Sequence, residues 1–451
     1  MSAESGPERH PRDRLKPELG LADATLLVVS GVIGSGIFLT PGAVADLLPH
    51  PGAILAAWLA GGLLSLAGAL ANAELGAMFP HAGGDYVYLR EAFHPAAGFL
   101  VGWLSFFVIY AGTIATLAAG FAASLAHFVA LGPGEQRALA VALVLATSAL
   151  NYVGVRWGAR ANNATAGLKI LALVAFALLG PLFGKGSAGN LHPLFEGAGG
   201  LSAAGFGLAL SPVLFSYLGW NSSVYVASEI HDPGRNVPRS LFLGVAICTS
   251  IYLLVNAVYL YALPVEALRV APDAGQAAAR ALFGGAGGTL VALFVLASIL
   301  GTLNASVLIG PRIAYAMALD RLFFAGVDRA HAVFRTPSVA IAVQAAVASA
   351  ILLALGSFSR ALDYTTFAIL LATMADVAAL FRLRRSRPRQ RRPYRAWGYP
   401  WVPALYLAAN GAVAVALLVG HPFECAAGLA MALAGLPFYA LFTRRSAPAG
   451  R

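Results

Sequence analysis

Two interruptions in otherwise apolar stretches carry the residues most able to do chemistry. The first stretch contains Gly31, Gly34 and Gly36 within six residues, together with Ser35. A glycine inside a helix costs roughly 1 kcal/mol relative to alanine, and a serine hydroxyl competes for backbone hydrogen bonds. The sixth stretch is interrupted by Ser211-Pro212 and then by the segment 215–221. Both patterns predict a helix that unwinds at mid-depth of a membrane and exposes free amide and carbonyl groups.

Free backbone groups cost several kcal/mol each in lipid, so an unwound segment persists only where it lines a cavity. The alternative is that the glycines serve close helix packing, which is the preferred interpretation for a single Gly-x-x-Gly. Here the interrupted stretches are the first and the sixth of twelve. Glycine-interrupted helices at corresponding positions of two five-helix halves indicate the binding site of a transporter. The spacing therefore favours a solute-binding cavity.

Lys169 is the one Lys or Arg that lies well inside an apolar stretch. An ionisable residue at membrane depth is by default a functional candidate. The alternative is a lysine whose ammonium group extends to the cytoplasmic surface, because that surface lies within two helical turns.

The sequence lacks the constellations that a membrane-embedded enzyme would need. It contains no His-Glu-x-x-His motif, and we recognise no paired carboxylates or Ser/His arrangement at membrane depth. Cys248 and Cys425 lie in separate apolar stretches and indicate neither a metal cluster nor a disulfide framework. We therefore predict no enzymatic activity, no metal and no cofactor.

The amino-acid composition indicates the class of structure that must position these residues. Only 11% of the 451 residues are charged and 59% are apolar, where soluble proteins carry about 25% charged residues. Too few charges remain to cover a soluble domain, and the high hydrophobicity excludes a disordered chain. The net charge of +10 comes mainly from arginines between apolar stretches, so it does not indicate nucleic-acid binding. The predicted class is an all-α polytopic protein embedded in a lipid bilayer.

Twelve stretches are predicted to cross the membrane, for which a helix needs about 20 residues. Ten of at least 18 residues are uncharged: 24–45, 47–73, 92–134, 138–155, 197–228, 240–265, 281–311, 336–359, 396–423 and 425–443. Two more carry one charge each, 161–184 with Lys169 and 364–381 with Asp376. The predicted organisation is an N-terminal tail (1–20), a five-helix repeat (21–182), a second, inverted repeat (203–381), a basic loop (382–401), helices eleven and twelve (402–442) and a C-terminal tail (443–451).

The distribution of cations predicts the orientation. Of the 30 Lys and Arg residues, 24 fall on the side of the N-terminus and five on the opposite side, with Lys169 between them. Because cytoplasmic loops are enriched in Lys and Arg, both termini are predicted to be cytoplasmic, in the inner (cytoplasmic) membrane. The basic segment 382–395 also fits pairing with anionic lipid. The first 20 residues have no apolar core, so we expect no cleavable signal peptide.

Several motifs resemble the amino acid–polyamine–organocation superfamily of amino acid permeases, and within it the L-type and bacterial serine/threonine-exchanger branch. The resemblance covers about residues 15–440 and rests on motifs in the same order. They are Gly31 to Phe38 (GVIGSGIF), Ala73-Glu74-Leu75 to Phe79-Pro80, Gly83-Gly84-Asp85-Tyr86, Glu229 with Asp232-Pro233, Gly310-Pro311-Arg312, Asp320-Arg321-Leu322-Phe323, Thr336-Pro337-Ser338, and Tyr399-Pro400 with Pro403.

The resemblance implies a LeuT-type fold of ten helices plus two, in which a free amino acid binds between helices one and six. It assigns the N–H groups of Gly34, Ser35 and Gly36 to the substrate carboxylate, and a half-helix N-terminus is suited to that role. The remaining assignments are the carbonyl groups of Val32, Phe215 and Leu218 for the substrate amine, and Phe215, Gly219 and Ser306 for the side-chain pocket or gate.

The resemblance also implies roles for charged residues. Lys169 would occupy the place of a sodium ion and brace helices one and eight. Glu74 and Glu229 are expected to be gate or loop partners of arginines. Asp376 is expected to pair with a nearby arginine, and Glu424 to suit the N-terminus of helix twelve, both in structural roles.

The resulting hypothesis is a sodium-independent secondary transporter of neutral L-amino acids that works by alternating access. Proton symport and amino acid exchange both remain open. The alternatives are a non-transporting amino acid sensor and a polytopic membrane enzyme. In the similar animal L-type carriers, a cysteine in the loop between helices three and four joins a glycoprotein partner. The loop around 130–137 contains no cysteine, so we expect no disulfide-linked partner subunit.

Overall fold

The computed structural model describes residues 13–126, 128–195, 202–355, 358–420 and 422–446. Within these ranges the chain is helical, and its one extended pairing is an isolated bridge between Leu19 and Ile230. The α-helices are α1 (Leu21–Val32), α2 (Gly36–Leu39), α3 (Pro41–Leu47), α4 (Pro51–Met78), α5 (Asp85–Ala92), α6 (Pro95–Leu104), α7 (Ala111–Leu125), α8 (Pro133–Tyr152), α9 (Val155–Phe183), α10 (Ala203–Tyr217), α11 (Pro233–Ala262), α12 (Val265–Arg269), α13 (Ala274–Leu319), α14 (Ser338–Leu355), α15 (Phe358–Ser386), α16 (Trp401–Gly420), α17 (Pro422–Leu433) and α18 (Gly435–Ser446).

The two predicted interruptions are present. Residues 33–35 separate α1 from α2, because the helical backbone ends at Ile33 with ψ of 86°. The second break follows α10: Leu218 is extended, Gly219 has a φ of +97°, and the chain resumes as a 3-10 helix, Ser222–Glu229. Only glycine adopts that φ without strain, so Gly219 permits the break.

One helix departs from the sequence prediction. The stretch expected to form a single helix from about 97 to 130 is continuous from Pro95 to Leu125, but its centre is a π-helical segment, Ser105–Tyr110. Such segments are frequent at functional sites, because the wider turn redirects the side chains on either side of it. Here Ile109 and Tyr110 of that segment line the cavity described below.

Small residues allow the helices to approach closely. In α4, a Cβ atom added at Gly68 would lie 2.6 Å from the Tyr406 ring and 2.8 Å from the Trp220 ring. The same helix packs along α11 and α10, while α13 packs against α7 and α9. Glycine at such contacts lets side chains of one helix reach the backbone of the next, which drives helix association in lipid.

The all-helical, membrane-spanning class is confirmed. Seven of the described helices are long and apolar enough to cross a membrane by length and composition, and helices also overlap each of the other predicted stretches. The outer parts of the predicted tails, residues 1–12 and 447–451, lie outside the described residues.

Candidate functional site

A cavity of about 150 Å³ lies between the two helix breaks. That volume is below the 300–1,000 Å³ typical of sites for drug-sized ligands, which suits a small solute. The cavity brings together eight of the predicted site residues: Val32, Gly34, Ser35, Gly36, Phe215, Leu218, Gly219 and Ser306. Among the described residues that line it, Asp85 is the one charged side chain.

The first break contains both occupied and free backbone groups. The Gly34 N–H donates to the Val32 carbonyl oxygen at 2.8 Å, and that oxygen also accepts from the Tyr252 hydroxyl at 2.9 Å. Ser35 and Gly36 begin α2, where helix geometry leaves N–H groups without intrahelical partners. Two of the predicted contact groups are therefore satisfied within the protein in this conformation, and the N–H groups of Ser35 and Gly36 are placed to receive an anionic group.

The second break also contains both occupied and free backbone groups. The Phe215 carbonyl accepts from the Leu218 N–H at 3.1 Å, and the Gly219 carbonyl accepts from the Ser222 N–H at 3.1 Å. No donor is described for the Leu218 carbonyl, although Leu218 lines the cavity. Of the predicted carbonyl groups, that of Leu218 is the one left free for a substrate ammonium group.

Tyr252, which the sequence reasoning missed, joins the two breaks. Its hydroxyl lies 2.9 Å from both the Val32 and the Ser216 carbonyl oxygens. Tyr252 is fully buried in α11 and stacks edge-on against Trp58. A tyrosine within an apolar helix gives no sequence signal of this role, because which carbonyl it meets depends on how α11 packs against α1 and α10.

Glycines let the two breaks touch each other. A Cβ atom at Gly219 would lie 2.7 Å from the backbone carbon and oxygen of Gly31, and one at Gly36 would lie 2.8 Å from the Ser216 Cα. Gly34 differs, because the nearest heavy atom to an added Cβ would be the Thr302 Oγ1 at 3.8 Å. Gly31, Gly36 and Gly219 are thus required by packing, whereas Gly34 opens space in the cavity wall.

Lys169 is buried behind the first break, with 1% of its surface exposed. Its ammonium group donates to the Ile33 carbonyl at 2.6 Å, the Ser30 carbonyl at 3.2 Å and the Thr302 hydroxyl at 2.9 Å. Three partners use all three ammonium donors. The alternative of a lysine that extends to the surface is therefore wrong.

Hydroxyl groups from other helices complete the cavity. Ser306 of α13 is buried and donates to the Thr302 carbonyl at 2.9 Å. Thr116 of α7 also lines the cavity, and its buried hydroxyl has no hydrogen-bond partner among the described residues. A buried hydroxyl without a partner is costly unless a ligand supplies one, which makes Thr116 a further candidate for substrate contact. In the sequence, Thr116 is a threonine within an apolar stretch, so no local pattern marks it as a contact residue.

Two glutamates form the ion pairs expected of them. Glu229 and Arg312 are both fully buried and bond through Nε at 2.8 Å and Nη2 at 3.2 Å. Glu74 accepts from Arg384, from Arg392 at 3.0 Å and from the Ala396 N–H at 2.7 Å. The expectation that both glutamates pair with arginines is confirmed for Glu74 and Glu229.

A third carboxylate belongs to an ion network beside them, in the loop helix α5. Glu91 bonds to Arg387 at 3.0 Å and to its neighbour Arg90, which also contacts Asp320. Although burial favours the neutral acid, the hydrogen bond from Arg387 and the charge of Arg90 hold the pKa of Glu91 below its usual value.

The expectation for Asp376 is wrong. Its carboxylate accepts from the Asn72 side chain at 3.0 Å and lies within hydrogen-bonding reach of the Asp85 carboxyl, and no described salt bridge joins it to an arginine. The structure also brings together a pair of carboxyl groups that the sequence reasoning did not recognise. Asp85 lies outside the apolar stretches, so nothing local indicated that it would meet Asp376. The side chain of Glu424 lies outside the described part of the structure.

Comparison with known proteins gives a consistent set of relatives. The family model for amino acid permeases matches residues 19–433. The chain is 32% identical to the serine/threonine exchanger SteT of Bacillus subtilis (strain 168) over 442 residues, which cover 97% of this chain and 100% of that protein. It is 30% identical to the human large neutral amino acids transporter small subunit 2 (95% and 80% covered) and 30% identical to the human b(0,+)-type amino acid transporter 1 (95% and 88% covered).

Proposed function

Because this chain belongs to the amino acid permease family of the amino acid–polyamine–organocation superfamily, whose members are membrane transporters and not enzymes, we propose that it is a sodium-independent secondary transporter of neutral L-amino acids. Transport proceeds by alternating access, either in exchange for another amino acid or together with a proton. The substrate occupies the cavity between the two helix breaks.

The observation that carries this proposal is the set of free backbone groups at that cavity. The N–H groups of Ser35 and Gly36 bind the substrate carboxylate, and the Leu218 carbonyl binds its ammonium group. The Gly34 N–H and the carbonyls of Val32 and Phe215 become available when the breaks rearrange, because two of their present bonds, Gly34 to Val32 and Leu218 to Phe215, lie within the breaks themselves. Amide donors and carbonyl acceptors at opposite breaks match the two charged ends of a free amino acid.

The cavity chemistry supports a neutral side chain. Phe215, Gly219, Ser306 and Thr116 line it, and they offer apolar surface and hydroxyl groups rather than a countercharge. Asp85 is the one charged group in the described lining, and it is hydrogen bonded to Tyr225 at 2.5 Å. An anionic side chain would need a positive charge that these residues lack, and a cationic one would find only the Asp85 carboxyl, which Tyr225 already engages.

Lys169 supports sodium independence. Its ammonium group already donates to the Ile33 and Ser30 carbonyls beside the first break. Carbonyl oxygens at a broken helix are the groups that coordinate a sodium ion in transporters of this architecture. The ammonium group of Lys169 would take the place of the ion and brace α1 against α13.

The architecture that accompanies this function is part of the proposal. We infer twelve spans in a LeuT-type arrangement, with inverted repeats at 21–182 and 203–381 and two further helices at 402–442. The protein crosses the cytoplasmic membrane with both termini and the loop 382–401 in the cytoplasm. No disulfide-linked partner subunit is required, because the loop around 130–137 has no cysteine and the two cysteines, Cys248 and Cys425, are buried.

Counterflow in liposomes tests the function. Purified protein is reconstituted into vesicles preloaded with one unlabelled amino acid, and uptake of a labelled neutral amino acid is followed with sodium and with choline. We expect saturable uptake that depends on preloading and is the same in both salts. Accumulation in empty vesicles driven by a pH gradient would identify symport, whereas strict dependence on preloading would identify exchange. Absence of saturable uptake would favour the sensor alternative, and loss of uptake in choline would contradict sodium independence.

A further inference from the structure

Two buried carboxyl groups face each other at the edge of the cavity. Asp85, at the start of α5, is 1% exposed, and Asp376, in α15, is fully buried. Their side chains lie within hydrogen-bonding reach of each other. None of the described salt bridges includes either residue, so the pair has no described cationic partner.

In the described part of the chain, one oxygen of each carboxyl group has a hydrogen-bond donor and the other does not. The Tyr225 hydroxyl donates to Asp85 Oδ2 at 2.5 Å, and the Asn72 amide donates to Asp376 Oδ2 at 3.0 Å. The Oδ1 atoms of both aspartates are buried, and no described residue donates a hydrogen bond to them. Two ionised carboxylates in this position would repel each other across a medium of low dielectric. A single proton between the two carboxyl groups removes that repulsion and supplies the missing hydrogen bond.

Of the titratable side chains in this region, the two carboxyl groups are the ones expected to change protonation state below about pH 10. The other titratable side chains facing the pair are Tyr88 of α5, Tyr110 of the π-helical segment, Tyr225 of the 3-10 helix and Tyr406 of α16. An ordinary tyrosine stays protonated below about pH 10. The Tyr88 hydroxyl is buried, has no hydrogen-bond partner and lies near both carboxyls, so it is available as a further donor to them.

The glycine pair before Asp85 fixes its position. Gly83 and Gly84 have φ angles of +105° and +48°, which favour glycine. The Gly83 N–H donates to the Tyr225 carbonyl at 3.1 Å, and a Cβ atom at Gly84 would lie 2.7 Å from the Tyr225 ring. The Gly83-Gly84-Asp85 sequence therefore holds the carboxyl directly against the 3-10 helix Ser222–Glu229.

A chain of hydrogen bonds links the pair to the sixth-helix break. The Asn221 side chain, at the end of that break, donates to the Tyr225 hydroxyl at 3.1 Å, and Tyr225 donates to Asp85. Asn221 lines the cavity, as do Tyr225 and Asp85. A movement of the 3-10 helix would break the bond from Tyr225 to Asp85 and open the pair to water.

We propose that Asp85 and Asp376 form a proton-binding site, in which one shared proton holds the 3-10 helix Ser222–Glu229 closed against the cavity. The proposal rests on the proposed transport function and deepens it by assigning a second ligand, the proton, to the same cavity. When the proton leaves, two adjacent negative charges remain, and the closed arrangement becomes unfavourable. Substrate occupancy at the break and protonation of the pair are thereby coupled.

The test measures counterflow in liposomes with equal pH inside and outside, across the range from about pH 5 to about pH 9. The variants are Asp376→Asn, Asp85→Asn and, as a matched control, Asp273→Asn. Burial also raises the pKa of the Asp273 carboxyl, which caps α13 through the Gln276 N–H at 2.8 Å. Asparagine is an equally good helix cap, so this control removes a half-buried carboxyl away from the pair.

We expect the wild type and Asp273→Asn to lose activity at high pH, by up to about tenfold per pH unit once the pair deprotonates. In Asp376→Asn and Asp85→Asn the ratio of rates at low and high pH should fall to within about twofold, because no shared proton remains to be lost. A pH profile in Asp376→Asn that matches the wild type would overturn the proposal. A sodium-dependent, pH-independent wild type whose sodium dependence disappears in Asp376→Asn would overturn it in favour of a sodium site.

Infrared difference spectra between the two ends of the pH range provide a readout that does not need transport. The wild type should show the C=O stretch of a protonated carboxyl that disappears at high pH. The double variant Asp85→Asn/Asp376→Asn should lack this band, and Asp273→Asn should retain it. A band that persists in the double variant overturns the proton site even if that variant is inactive. Absence of wild-type counterflow at every pH contradicts the proposed transport function, while the spectra still decide whether the pair binds a proton.

Discussion

At the level of single residues, the chemistry of this cavity resides more in the backbone than in side chains. The residues predicted to contact substrate at the first break are two glycines and a serine that line the cavity, and what they offer is N–H groups. Side chains support this backbone: Lys169 and Thr302 donate to carbonyls of the first break, and the Tyr252 hydroxyl contacts the Val32 and Ser216 carbonyls. Because glycine has no side chain and serine has a short one, a small molecule can approach the main chain at the first break.

Lys169→Ala tests the supporting role of this side chain. The change removes three hydrogen bonds and leaves the Ile33 and Ser30 carbonyls without the ammonium donor. Hydrogen bonds to charged groups contribute about 1.5–3 kcal/mol each, so we expect counterflow to fall at least about tenfold. Lys185→Ala is the matched control, because Lys185 is exposed and its described hydrogen bond comes from the backbone. Wild-type rates in Lys169→Ala would contradict the bracing role.

At the level of elements, the two breaks form one unit, because they pack so closely that glycine positions on each have no room for a side chain. Gly31 and Gly219 approach so closely that neither position has room for a Cβ atom, and Gly36 is enclosed by Ser216. The aromatic residues Trp58, Tyr217 and Tyr252 pack beside this contact. A shift of α10 or of the 3-10 helix must therefore move the first break as well, which is what alternating access requires of a shared binding site.

Alanine substitutions at two glycines separate packing from binding. Gly219→Ala places a methyl group 2.7 Å from the Gly31 backbone at a φ of +97°, so we expect a strained protein with a lowered melting temperature. Gly34→Ala meets its nearest neighbour at 3.8 Å, so we expect an unchanged melting temperature but weaker substrate binding, seen as a raised KM. Unchanged uptake kinetics in Gly34→Ala would place the substrate away from the first break.

At the level of the whole molecule, charge is concentrated at one end of the helix bundle. Among the described residues, every salt bridge but Arg269–Asp46 lies at the end that the cation distribution predicts to be cytoplasmic. The buried pair of Arg312 and Glu229 connects α13 to the 3-10 helix, and Glu74 connects α4 to the basic loop through Arg384 and Arg392. These bonds tie the helices and loops of that end to one another.

Cysteine labelling tests the orientation of the whole chain. Arg389→Cys places a thiol in the exposed part of the basic loop, and Gly134→Cys places one where no atom lies within 4 Å of the new Cβ. In intact cells we expect an impermeant thiol reagent to label Gly134→Cys and to spare Arg389→Cys until the cells are opened. The native Cys248 and Cys425 are buried and should add little background. The reverse pattern would contradict cytoplasmic termini.

Local patterns in the sequence were sufficient for the class of the molecule and for the two helix breaks. The shortage of charge predicts the membrane, and clustered glycines predict unwinding, because both effects depend on residues that are neighbours in the chain. The choice of Lys169 as a functional candidate also followed locally, since a lone cation in an apolar helix is costly wherever the helix packs.

Tertiary structure alone decided which groups meet. The sequence could not indicate that Val32 and Gly34 would satisfy each other and Tyr252, or that Thr116 would be left without a partner. It also gave Asp376 the wrong partner, because Asp85 lies far away in the chain and reaches it through the packing of α5 against α15. Hydropathy and helix propensity act over a few residues, whereas hydrogen-bond partners depend on contacts that only the packed helices create.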